Sequence, residues 1–142
     1  MAPDLSALAG VAETQDSARL ETLISNSHSW WQRHGYGMWV ILMKDENSLI
    51  GWCGLRPLQT PDVPEVLYGL ATAARGRGLA TEAVRATIDF AFRLPDVKGV
   101  WAATTPDHQA SIGVMSRSGM SFDRRARLDG VDSVIYRLWR AD

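Results

Sequence analysis

The residues best placed to do chemistry are Arg75-Gly76-Arg77-Gly78-Leu79-Ala80. They follow a compact apolar run, residues 66–71, whose β-branched and aromatic members suit a strand. From Ala80 the apolar period becomes helical: Ala80, Ala83, Val84, Thr87, Ile88 and Ala91 fall on one stripe. Arg85/Asp89 and Asp89/Arg93 stand one turn apart on the other face, spaced to pair, and Pro95 stops the helix. A helix start presents backbone N–H groups with no internal acceptor, together with partial positive charge. Gly76 and Gly78 have no side chain to obstruct an anion, Ala80 has only a methyl, and Arg75 and Arg77 add charge. The ligand such a loop suits is a pyrophosphate. The same six residues also fit a tight turn whose glycines take positive φ and whose arginines sit in water.

Two further side chains carry candidate chemistry. Glu65 stands at the head of the strand among apolar neighbours, where burial raises a carboxyl pKa toward the range useful for proton abstraction. A glutamate at a sheet rim, paired with an arginine, is the structural alternative. Ser111 falls in the first turn of a second helix, where its hydroxyl can meet developing negative charge or bond the local backbone. No Ser-His-Asp arrangement is readable, so Ser111 is not read as a nucleophile. His28, His34 and His108 form no metal-ligand grouping with cysteine or carboxylates, and no metal is expected. Cys53 reads as a small buried hydrophobe.

The loop and its surroundings resemble the GCN5-related N-acetyltransferases, the GNAT superfamily. Residues 75–80 fit that family's Arg/Gln-x-x-Gly-x-Gly/Ala signature, between a strand and a helix as in the family. His108-Gln109-Ala110-Ser111 and then Ser118-Gly119-Met120 resemble its Asn-x-x-Ser … Gly-Phe/Met segment. Trp39, Gly51, Gly54, Leu55, Glu65 and Tyr68 sit where the ribosomal-protein N-terminal acetyltransferase branch has similar residues. The likeness runs from about Trp31 to Trp139.

That resemblance implies transfer of an acetyl group from acetyl-CoA to a primary amine, by direct attack and without a metal. It places the pantetheine arm along Leu70, Ala71 and Thr72, like an added strand between splayed neighbours. It places the pyrophosphate on residues 75–81, through Arg75, Gly76, Arg77, Gly78, Leu79, Ala80 and Thr81. Glu65 takes the position of the branch's proposed base, and Ser111 that of a group bonding the departing sulfur. His108 stands where the family usually has Asn, a pantetheine contact. Met115 stands where many relatives have a proton-donating Tyr, a role methionine cannot fill; Tyr136 is a distant substitute. These two departures, with a weakly patterned N-terminus, motivate an alternative, a catalytically weak acyl-CoA-binding or interaction module. Trp30, Trp31, His34 and Tyr36 are candidates for the acceptor rim or for core packing.

The elements around these residues read as a mixed α/β (α+β) fold with helices flanking the sheet, which the resemblance makes centrally splayed; a continuous ladder is the alternative. Its 142 residues suit a single domain with a real core. Residues 1–12 show no convincing strand, so the family's first strand reads as weak, missing or supplied by a partner chain, which would invite homodimer pairing. Residues 13–33 read as helical, interrupted by Asn26, Ser27 and Ser29 before Trp30. Strands are expected over 38–43 and 49–55 around a polar hairpin loop, then an exposed loop over 57–64. A strand over 97–105 makes a right-handed parallel crossover with the one before the helix. Asp107 or His108 caps the next helix, Gly119 ends it, and Asp129-Gly130 turns the last hairpin, 121–128 with 131–139.

A formal charge of −1 with 46% hydrophobic residues argues against a dedicated nucleic-acid binder, despite the Arg124, Arg125, Arg127 cluster. No apolar run reaches membrane-spanning length, and the single cysteine fits a reducing compartment; the expected location is cytoplasmic.

Overall fold

A computed structural model describes residues 17–45 and 48–141. The expected weakness of the first strand lies outside the described residues. The chain runs α1 (Ser17–His34), β1 (Met38–Leu42), β2 (Leu49–Arg56), β3 (Glu65–Leu70), α2 (Leu79–Arg93), β4 (Gly99–Thr104), α3 (Gln109–Arg117), β5 (Ser121–Leu128) and β6 (Val131–Trp139). The six strands form one mixed sheet in the order β1-β2-β3-β4-β6-β5, with β3 and β4 as its parallel neighbours.

One face of the sheet carries the larger core. Leu55, Val66, Val100 and Ala102 from the strands meet Val84, Ile88 and Ala91 of α2 and Val114 and Met115 of α3. The α2 stripe therefore faces inward as its period requires. A smaller cluster of Val63, Trp101 and Ile135, backed by Ala126 and Leu128, sits apart from it. Val66 and Val100 belong to the first cluster and Trp101 to the second, so the alternation along each strand divides the two faces.

Several expectations change. α1 runs unbroken through Asn26, Ser27 and Ser29. Ser27 is buried and its Oγ accepts from the Met38 N–H at 2.8 Å, so its hydroxyl satisfies the start of β1 instead of competing with its own helix. The loop before β3 is not wholly exposed: Val63 and Pro64 are buried, and the Tyr36 hydroxyl donates to the Pro61 carbonyl at 2.9 Å. Neither Asp107 nor His108 caps α3; His108 holds the cap position without a side-chain bond to the helix. The Arg85 guanidinium leaves Asp89 and donates to the Arg117 carbonyl, joining α2 to α3. Gly119 at φ 94° ends α3, and Asp129 (φ 50°) with Gly130 (φ 80°) makes the expected tight hairpin.

Gly54 shows why glycine is needed in β2. A Cβ there would lie 2.3 Å from the Gly37 carbonyl oxygen and 2.6 Å from the Met38 Cα, so β1 could not approach.

Candidate active site

β3 and β4 pair at one position, Glu65 opposite Trp101, where the Trp101 N–H donates to the Pro64 carbonyl at 3.2 Å. Beyond it the two strands part. Ala71 donates its N–H to the Ile50 carbonyl at 2.8 Å, on the β2 side. Backbone direction alternates along a strand, so the N–H and C=O of Leu70 and Tyr68 turn the other way, into the opening. Ala71 and Thr72 carbonyls accept from Ala74 and Arg75 in a single turn of 3-10 helix, Thr72–Ala74. Of the three residues expected along the arm, Leu70 turns its backbone toward the gap, while the Ala71 N–H is taken by β2.

The opening leads to the start of α2. Gly78 is the cap residue, at φ 75°, and no side chain caps the helix. The first helical bond runs from the Glu82 N–H to the Gly78 carbonyl at 3.1 Å, so Leu79, Ala80 and Thr81 present their amides ahead of it. Gly76 also has positive φ, 80°, and a Cβ built on either glycine meets nothing within 4 Å. The glycines serve the turn and leave its outer side open. Arg75 is exposed beside them, while Arg77 folds back to donate to the Ala73 carbonyl at 3.1 Å. The Thr81 hydroxyl is buried with no hydrogen-bond partner. An open surface depression runs from Gly78 and Thr81 along Glu82, Arg85 and Asp89 to Arg117 of α3. Free amides, an open glycine turn and an orphaned hydroxyl fit a diphosphate-bearing ligand with room for a larger group beyond it.

At the closed end, Glu65 is 6% exposed and paired with Arg56, whose Nε donates to Oε1 at 2.9 Å and whose second guanidinium nitrogen forms the ion pair. Burial pushes its carboxyl pKa up; the Arg56 charge and hydrogen bond pull it down, the Asp129 charge adds to the rise, and the net direction is upward. Both features named for this glutamate, burial and an arginine partner, are therefore present together.

Ser111, buried in the first turn of α3, does not bond its own backbone. Its Oγ lies 2.5 Å from the Tyr68 hydroxyl, which also lies 3.3 Å from the Ser111 carbonyl. Tyr68 is the site residue whose contact the sequence did not reveal. Its signal was strand parity: Val66, Tyr68 and Leu70 share a face, and Val66 packs against α2. Tyr136 instead packs beside the core, edge-on to Phe122. His108 stays near the open end, its Nδ1 3.1 Å from the Thr104 hydroxyl. Met115 is fully buried. Trp31 packs edge-on against Trp39 and Phe90, and Tyr36 joins the core, so these aromatics support the fold. Among the described residues no three His, Cys, Asp or Glu side chains gather as metal ligands. None of the described helices is long and apolar enough to cross a membrane.

The chain is similar to known proteins in sequence and in fold. The chain is 33% identical over 105 residues to the uncharacterized protein YkkB of Bacillus subtilis, a match covering 70% of this chain and 61% of that protein's length. The solved structure of an acetyltransferase from Agrobacterium tumefaciens superposes with a TM-score of 0.76 at 25% identity, covering 92% of this chain and 75% of that one. RimL, a ribosomal L7/L12 alpha-N-protein acetyltransferase solved with coenzyme A, superposes with a TM-score of 0.73 at 18% identity, over 95% of this chain and 80% of its own, a likeness of fold. The family model of the GNAT acetyltransferase domain matches residues 3–121, and the chain belongs to that family.

Proposed function

We propose that the protein transfers an acetyl group from acetyl-CoA to a primary amine by direct attack. The observation that carries this reading is the gap between β3 and β4 that ends at the uncapped start of α2. A strand-like arm can lie in that gap while a diphosphate meets the helix amides. Acetyl-CoA supplies the activated acyl group. The chain's own residues do the rest. Leu70 and Tyr68 offer backbone bonds along the gap. Gly76, Gly78 and the amides of Leu79, Ala80 and Thr81 hold the diphosphate, and Arg75 adds charge. Glu65, where the strands meet, accepts the amine's proton directly or through water, as the buried carboxylate of a general base would. Ser111 offers its hydroxyl to the sulfur as charge develops there. The buried free thiol of Cys53 fits a reducing compartment, and we place the protein in the cytoplasm.

Calorimetric titration with acetyl-CoA is the first test, with saturable binding expected; a well-folded protein that takes up none would remove the assignment. A product-mass screen over small amines and N-terminal peptides then identifies the acceptor.

The Arg56–Glu65 ion pair favours one second reading. A carboxylate held by a guanidinium is a weaker base, and a domain that binds acyl-CoA without turning it over would keep the pair as structure. Binding with no product across the screen would support that reading.

A further inference from the structure

We infer that Tyr68 is the positioning residue that aims the Ser111 hydroxyl at the sulfur departing in the transfer, an inference that rests on the acetyl-transfer reading above. Tyr68 lies on β3 past the single position where that strand meets β4. Its hydroxyl spans 43 residues of sequence to reach Ser111 on the helix that follows β4. The contact therefore bridges the two flanks of the gap.

A first-turn serine ordinarily returns its hydroxyl to nearby backbone. Here the Oγ bonds the phenol, which fixes its direction. A serine hydroxyl has one hydrogen to give. The phenol's one hydrogen has the Oγ at 2.5 Å and the Ser111 carbonyl at 3.3 Å within reach; given to the nearer Oγ, it leaves the serine hydrogen available for a third partner. Burial pushes the phenol pKa up, which keeps Tyr68 in the donating form at neutral pH. The thioether of Met115 is buried and has no hydrogen to offer, which leaves Ser111 as the hydroxyl in the first turn of α3 that can meet the sulfur.

The balance of the step is simple. The N–C bond forms and the C–S bond breaks. Glu65 takes the proton of the attacking amine. The electron pair of the broken bond stays on sulfur, held by the Ser111 O–H until water protonates it. Tyr68 neither gains nor loses a proton.

The test uses free coenzyme A as probe and reads its thiol ionisation in the binary complex from the ultraviolet absorbance of the thiolate. In the wild-type complex the thiol pKa should fall below that of free coenzyme A. Tyr68→Phe should move it back by about one unit, a tenfold change in the ionisation constant. Ser111→Ala should do the same, and the double variant should add nothing further, since the two act as one unit. Affinity for coenzyme A at a pH where the thiol is neutral should change by no more than about twofold, and kcat should fall about tenfold with KM for acetyl-CoA unchanged. A thiol pKa that neither variant moves, in a wild type that binds coenzyme A, overturns the inference and leaves a strut between β3 and α3; acetyl transfer would stand. Full additivity in the double variant overturns it as well. No binding by wild type removes the acetyl-transfer reading and this one with it. Should Tyr68→Phe fail to fold by circular dichroism, Tyr68→Leu takes its place in the same cycle, and an unmoved thiol pKa in Tyr68→Leu or in Ser111→Ala overturns the inference.

Discussion

Glu65 holds two opposed influences on a single carboxylate. Desolvation raises its pKa and Arg56 restrains the rise. As a base it works only ionised, so the rate should climb as pH rises through its elevated pKa and level off above it. Glu65→Gln should lose about 10²- to 10⁴-fold in turnover and lose that acid limb, while still binding acetyl-CoA; an unchanged rate and profile would reject the base. The stability effect has the other sign. A carboxyl whose folded pKa lies above its ordinary 4.5 contributes fully below that value and loses the contribution as pH rises through the folded pKa. The wild type should therefore lose ground to Glu65→Gln in urea melts as pH climbs from 4.5. Gly76 separates space from backbone strain. Its built Cβ meets no protein atom, and asparagine tolerates left-handed backbone. Gly76→Asn should stay within about 1 kcal/mol of wild-type stability. Its side chain would stand in the path of the proposed diphosphate, so acetyl-CoA affinity should drop at least about tenfold by calorimetry, or 1.4 kcal/mol.

The elements around the site differ in how tightly they are held. β1 depends on β2 lacking a side chain at Gly54, since the atoms a Cβ would strike belong to the Gly37 and Met38 backbone. Backbone cannot swing aside as a flexible side chain can. Gly54→Ala should cost about 1–3 kcal/mol by chemical denaturation, with exchange of the β1 amides rising first. β2–β3 and β4–β6 are ladders paired over six positions each, whereas β3–β4 pair at one. The sheet is therefore continuous around a central gap, and α2, packed through Val84 and Ile88, and α3, packed through Val114 and Met115, share a core with the strands on both sides of it. Strand 66–71, helix 80–94 and the final hairpin were legible from the residues because apolar period and turn glycines are local signals. The course of α1 through Ser27 was not, because the Met38 N–H that satisfies that hydroxyl lies 11 residues away.

Across the whole molecule, Tyr36 joins the core to the loop that leads into β3. Its hydroxyl donates to the Pro61 carbonyl, and burial, helped by the Asp62 charge, pushes its pKa up to about 12. A phenol raised from 10.0 contributes fully below that ordinary value and loses its contribution as pH rises through about 12. Tyr36→Phe should cost about 1 kcal/mol near neutral pH through the lost hydrogen bond. Above pH 10 the gap between variant and wild type should narrow, because the variant has no phenol to ionise. Urea midpoints measured across that range check both parts. What the order of residues settled alone was the succession of elements and the glycine turn that opens α2, since both arise from neighbours within a few positions. Folding decided the partners: that Glu65 meets Arg56, that Ser111 meets Tyr68 across 43 residues, and that Ala71 turns its N–H to Ile50 while Leu70 faces the gap. Those are matters of strand register and of which face a side chain takes. Register is set by cross-strand packing between distant segments, and no stretch of sequence read singly contains it.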